Sequence, residues 1–89
     1  MSVLIRAIDF ANGQDCPHAG QFLESFDHDA CNGHGYATFT DRVNHAKRFA
    51  DHAEALAFWN KQSAVRPLRP DGRPNKPLTA LTVEIVSLP

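Results

Sequence analysis

QFLESFDHDACNGHGYATFT, residues 21–40, is the stretch on which the fold turns. Two runs carrying aromatic residues flank a polar centre that holds Asn32-Gly33. That dipeptide suits a type I′ turn, because both central residues of such a turn take positive φ. Closed there, the hairpin sets Cys31 against His34, Asp29 against Tyr36, Asp27 against Thr38 and Phe26 opposite Phe39. One face then carries Phe22, Phe26, Ala30, Ala37 and Phe39, and the other Ser25, Asp27, Asp29, Tyr36, Thr38 and Thr40. Such alternation describes an antiparallel sheet with one apolar face and one solvated face. The polar run DHDACNGHG also fits a longer loop.

Working outward, VLIRAIDF (residues 3–10) has the β-branched and aromatic content of a strand and runs to the turn signal Asn12-Gly13. GQDCPHAG reads as a loop, since Pro17 lacks a backbone donor. Beyond Thr40 the period changes: Ala46, Phe49, Ala50, Ala53, Leu56, Ala57 and Trp59 recur at three- and four-residue spacing, which predicts an amphipathic helix. Thr40 or Asp41 is a candidate N-cap, and Asp51 followed by Glu54 makes a second. The expectation is a short helical turn, a kink, and a main helix to about Gln62. Pro67 ends it, and LTALTVEIVSL, with Leu81, Val83 and Ile85 alternating against Thr82 and Glu84, forms a closing strand. The order is β-β-β-α-β, an α+β domain over residues 1–89 with an antiparallel sheet of about four strands and the helix across one face.

Composition agrees with one small domain. Of 89 residues, 43% are apolar and 21% charged, too apolar for a disordered chain. No apolar run reaches the length of a membrane span. The N-terminal MSVLIRAIDF lacks the basic lead and cleavage site of a signal peptide, so free thiols in a reducing cytoplasm are expected for the two cysteines. Net charge is −1 but polarised. Residues 1–41 hold six acids and one base, a balance of −5; residues 42–77 hold eight bases and three acids, a balance of +5. Asymmetry of this kind steers an anionic partner if it survives folding on one face.

The most basic segment is RPLRPDGRPNKP, residues 66–77. Prolines at 67, 70, 74 and 77 fix φ and stiffen the backbone, while Asp71-Gly72 marks a turn that folds it into two arms. Arg66, Arg69, Arg73 and Lys76 project from this frame, and guanidinium groups on a pre-ordered backbone suit carboxylates or phosphates. The competing reading is a connector whose bases merely keep it soluble. Tyr36, on the polar sheet face beside Asp27 and Asp29, is a further candidate for a protein contact.

Cys16-Pro17-His18 and Cys31-Asn32-Gly33-His34, twelve residues apart, supply the ligand types of a zinc site in Cys16, His18, Cys31 and His34. C-x-H in an extended segment converges only if the loop cooperates, and a domain of this size folds without a metal. No cofactor is therefore expected, with zinc the weaker alternative. Asp27, Asp29, Asn32 and Gly33 miss EF-hand spacing. No nucleophile elbow, phosphate loop or metalloprotease helix is present, so an enzyme is not expected.

GQFLESFDHDA (20–30), GHGYATFTD (33–41), AKRFADHAEALAFW (46–59) and RPLRPDGRPNKPLTALTVEI (66–85) together resemble a set of small uncharacterised proteins of bacterial genomes and prophages. The resemblance implies a compact bacterial or phage accessory protein, with no catalytic residue to carry over.

The leading expectation is a non-enzymatic protein-binding module, with inhibition or modulation of a host nucleic-acid machine, as anti-CRISPR proteins do, as one role. The alternative is a nucleic-acid binder using Arg42, Lys47, Arg48 and the proline-rich loop; a small zinc-binding protein or metal- or cysteine-dependent enzyme stands third. A homodimer is also expected to be feasible, because LTALTVEIV makes a good sheet edge.

Overall fold

The computed structural model describes residues 2–10 and 13–88. Its elements are β1 (Val3–Phe10), β2 (Phe22–Asp27), one helical turn (Ala30–Gly33), β3 (Tyr36–Thr40), a 3-10 turn (Val43–His45), the main helix (His52–Trp59), a second 3-10 turn (Pro77–Ala80) and β4 (Leu81–Ser87). The sheet order is β3-β2-β1-β4, antiparallel throughout. The β-β-β-α-β order and the α+β class are as the sequence pattern predicts. Asn12, half of the first turn signal, lies outside the described residues.

β1 is central, and Val3, Leu4, Ile5 and Ala7 are all buried. A strand covered on both faces reads as a continuous apolar run rather than an alternating one. Val3 and Ile5 join Cys16, Leu23, Phe49, Ala55, Leu78 and Leu81 in one core cluster. Phe58 and Trp59 of the helix pack on it, and the Trp59 indole N–H donates to the Leu81 carbonyl at 3.2 Å. Truncating Leu23 or Phe49 to alanine there would cost about 3 kcal/mol.

The hairpin closes differently from the two-residue turn the sequence predicts. Asp27 stands opposite Tyr36 and Phe26 opposite Ala37, and the chain between them is an eight-residue loop, 28–35. Cys31 (φ 54°) and Asn32 (φ 59°) are left-handed, followed by Gly33 at φ 86°. A bulge between Leu23 and Ser25 then shifts the register, so that Leu23 pairs with Phe39. As a result Leu23, not Phe22, enters the core.

The main helix starts at the expected Asp51 cap, after a short 3-10 turn at Val43–His45, but stops at Trp59, short of Gln62. Ala46 and Phe49 are buried, but from an extended segment. Phe49 exchanges two backbone hydrogen bonds with Val3, each 2.9 Å, and Lys47 N–H donates to the Leu23 carbonyl at 2.9 Å. β1 meets β2 at Arg6↔Phe22, and beyond that point residues 47–49 lie between the two strands. The Lys47 ammonium sits 5.5 Å from the Phe49 ring centre and 5.1 Å from that of Phe58. Asp51 does cap the helix, accepting from Glu54 N–H at 2.9 Å, while the Glu54 carboxylate accepts from Ala50 N–H at 2.8 Å. Asn60 ends it: its backbone N–H and its side chain both donate to Leu56 O. Among the described residues no helix is long and apolar enough to cross a membrane.

Candidate partner-binding cleft

The proline-rich stretch is a small hairpin of its own. Asn75 N–H donates to Pro67 O at 2.9 Å, Arg69 N–H to Arg73 O at 2.7 Å and Gly72 N–H to Arg69 O at 2.9 Å, with Leu68 bridged to Pro74. Pro70 and Asp71 occupy the two corner positions, the Asp71 carboxylate accepts from Arg73 N–H at 3.0 Å, and Gly72 takes φ 83°. Pro-Asp-Gly is the residue order such a turn requires. The two arms expected from Asp71-Gly72 are present.

This hairpin is fastened to the β2–β3 loop by polar side chains. The Asn75 amide donates to Gly33 O at 2.7 Å and to Arg66 O at 2.9 Å, using both of its hydrogens. Ser63, 1% exposed, donates its hydroxyl to Asp29 at 3.0 Å, accepts from Arg66 N–H at 3.3 Å, and donates its backbone N–H to Asn75 O at 2.9 Å. Asp29 also accepts from Ala64 N–H at 2.8 Å and Val65 N–H at 3.4 Å. The Ala64 bond, then that of Ser63, holds its carboxyl below the usual carboxylate range. Gly33 lies so close to Arg66 that an added Cβ would stand 2.5 Å from the arginine Cβ.

Next to these contacts His28 is buried between Phe26 and Phe58, edge-on to rings 4.7 and 4.9 Å away. Its Nε2 lies 3.0 Å from the Phe58 carbonyl, an acceptor, so Nε2 carries the proton and donates. This bond satisfies a carbonyl of the last helical turn. Burial lowers the His28 pKa from the ordinary 6.5, because the charged imidazolium loses its hydration.

Between the loop and the hairpin lies an open cleft of about 800 Å³. Arg66, Arg69 and Lys76 line it, with His34 across from them and Phe10, Leu68 and Pro77 supplying apolar wall. Leu68 is 54% exposed. Among the described residues the ion pairs are Arg6–Glu84 and Arg73–Asp71, the latter 3.9 Å long. Arg66, Arg69 and Lys76 thus face the cleft without a carboxylate partner, beside one acid, Asp71, that sits near Arg73.

Three of the four basic candidates are therefore brought together. Arg73 is not among the residues that line the cleft, and Tyr36, 63% exposed, stands on the sheet beside Asp27. The two cysteines have separate surroundings: Cys16 is in the core and Cys31 is exposed on the left-handed turn. His18 stacks on Phe39 with ring centres 4.4 Å apart and contacts Gln21 at 2.8 Å. Among the described residues no three His, Cys, Asp or Glu side chains gather at metal-binding distance. Sequence reading missed Asn75, Ser63 and Gly33 as the residues that set the cleft, and His34 as part of its wall. No family model, curated protein or solved structure matches the chain.

Proposed function

We propose that the chain is a non-enzymatic binding module that takes an acidic segment of a protein partner into the cleft, acting as an inhibitor or modulator rather than a catalyst. The observation that carries this reading is the convergence of Arg66, Arg69 and Lys76, none ion-paired among the described residues, on one cavity whose backbone is already ordered by hydrogen bonds. Pre-ordering lowers the entropy lost when the partner is gripped. The apolar wall of Phe10, Leu68 and Pro77 suits a carboxylate-bearing segment with an apolar neighbour. A protein segment is favoured over nucleic acid because the chain as a whole is not basic, with a net charge of −1.

The test is capture of partners from a bacterial lysate by tagged wild type, Arg66→Glu/Arg69→Glu and Arg73→Glu, with and without nuclease. A protein retained by wild type and Arg73→Glu through nuclease treatment, and lost by the double variant, supports the reading. Nucleic acid recovered in place of protein, with affinity falling steeply as salt rises, replaces it with the nucleic-acid alternative. Equal recovery by wild type and the double variant returns the hairpin to the role of a connector.

A further inference from the structure

β4 ends the sheet, and among the described residues no strand pairs with its outer side. Leu88 N–H donates to Ser2 O at 2.8 Å, and the β1–β4 register runs from Val3↔Ser87 to Ala7↔Val83. Bonded and non-bonded pairs alternate along an antiparallel ladder. Leu88, Val86 and Glu84 therefore turn their backbone groups toward β1, and Ser87, Ile85 and Val83 turn theirs outward. The irregularity in this pairing falls between Ala7 and Asp9 on β1, so β4 itself is regular. It carries no proline, and its one charge, Glu84, is paired with Arg6. Natural sheets close exposed edges with proline, unpaired charge or bulges, and β4 has none of these on its free side.

An apolar groove of about 410 Å³ runs beside this edge, lined by Leu56 and Trp59 of the helix and by Leu81, Val83 and Ile85 of β4. Leu56 is 46% exposed there. Backbone groups in a row and an apolar groove alongside them call for an extended strand with one apolar face.

We propose that β4 is a homodimer interface, at which the β4 of a second copy pairs antiparallel to the first. The second copy is the occupant because it matches both faces together. With Ile85 opposite Ile85 of the other copy, Val83 faces Ser87 and Glu84 faces Val86. A register centred on Glu84 instead sets two like charges opposite each other, which antiparallel pairs disfavour. The Arg6–Glu84 pair leaves the edge without a net charge to select an acidic or basic foreign strand. A two-fold axis normal to the sheet puts both helices on one side, so that the two grooves run into each other and Leu56 is covered.

Sedimentation of the intact chain from micromolar to millimolar concentration, with amide exchange read by NMR at both ends of that range, tests this. The expected result is a monomer–dimer equilibrium in which the Val83, Ile85 and Ser87 amides exchange about tenfold or more slowly as dimer forms. The Glu84 and Val86 amides, already bonded to β1, change little. Ser87→Pro keeps the monomer fold, because its N–H points outward, and abolishes the dimer. Leu56→Glu, an exposed substitution on the groove wall, weakens it about tenfold or more. A chain that stays monomeric at all concentrations overturns the proposal. So does a dimer whose Val83 and Ile85 amides exchange as in the monomer, or one that survives both substitutions.

Discussion

Two of the connections that reverse the chain through left-handed residues are built on contrasting plans. The tip of the 67–75 hairpin closes on itself: Pro70, Asp71 and Gly72 supply the geometry, and each closing bond joins residues of the hairpin. The 28–35 loop has backbone bonds of its own but is also held from outside, by Ser63, Ala64 and Val65 on Asp29, by Asn75 on Gly33, and by the helix end on His28. A turn written into its own residues tolerates a poor surrounding; one set by distant partners fails when any of them is altered.

The two glycines give the sharpest contrast. Gly33→Ala puts a Cβ 2.5 Å from that of Arg66 on a residue at φ 86°, and we expect a loss of about 3 kcal/mol or more in urea unfolding. Gly72→Ala meets nothing within 4 Å at nearly the same φ, so about 1 kcal/mol is expected, with the cleft intact. Equal losses would break the comparison. Asn75→Ala strands the Gly33 and Arg66 carbonyls and should cost about 2 kcal/mol, together with weaker capture of any cleft partner.

Acid provides a smaller and more selective probe. The unfolded chain binds a proton at His28 more readily than the folded one, so stability is full above pH 6.5 and falls as pH drops below it toward the lowered folded value. Asp29 adds a further loss below 3.8, by the same sign. Thermal melts of His28→Gln should show a flatter pH dependence in the first window; an unchanged slope would remove His28 from the account. Asp71→Ala, which removes one bond internal to the tip of the hairpin, should cost about 0.5 kcal/mol.

This contrast also explains what was legible in the sequence. The order of elements along the chain, the Asp51 cap and the Asp71-Gly72 turn rest on residues close together in the chain, and pattern reading recovers them. Asn32-Gly33 carries as strong a turn signal as Asp71-Gly72, yet the hairpin does not close there, because Asp29 and Gly33 are claimed by residues more than thirty positions away. Phe49 sits three residues from Ala46 and reads as helix until Val3 takes both of its backbone groups. Arg66, Arg69 and Lys76 could be grouped because prolines order their backbone, whereas the far side of the cleft, Phe10 and His34, comes from other parts of the chain.

The central place of β1 has a consequence for how the chain folds. Its longest ladder is with β4, joining Val3 to Ser87, and its contact with Phe49 comes from mid-chain. The β4-facing edge formed by Val3, Leu4 and Ile5 is therefore covered only by residues eighty or more positions further along the chain. Sequence-distant pairing of this kind slows folding and leaves apolar edges open meanwhile.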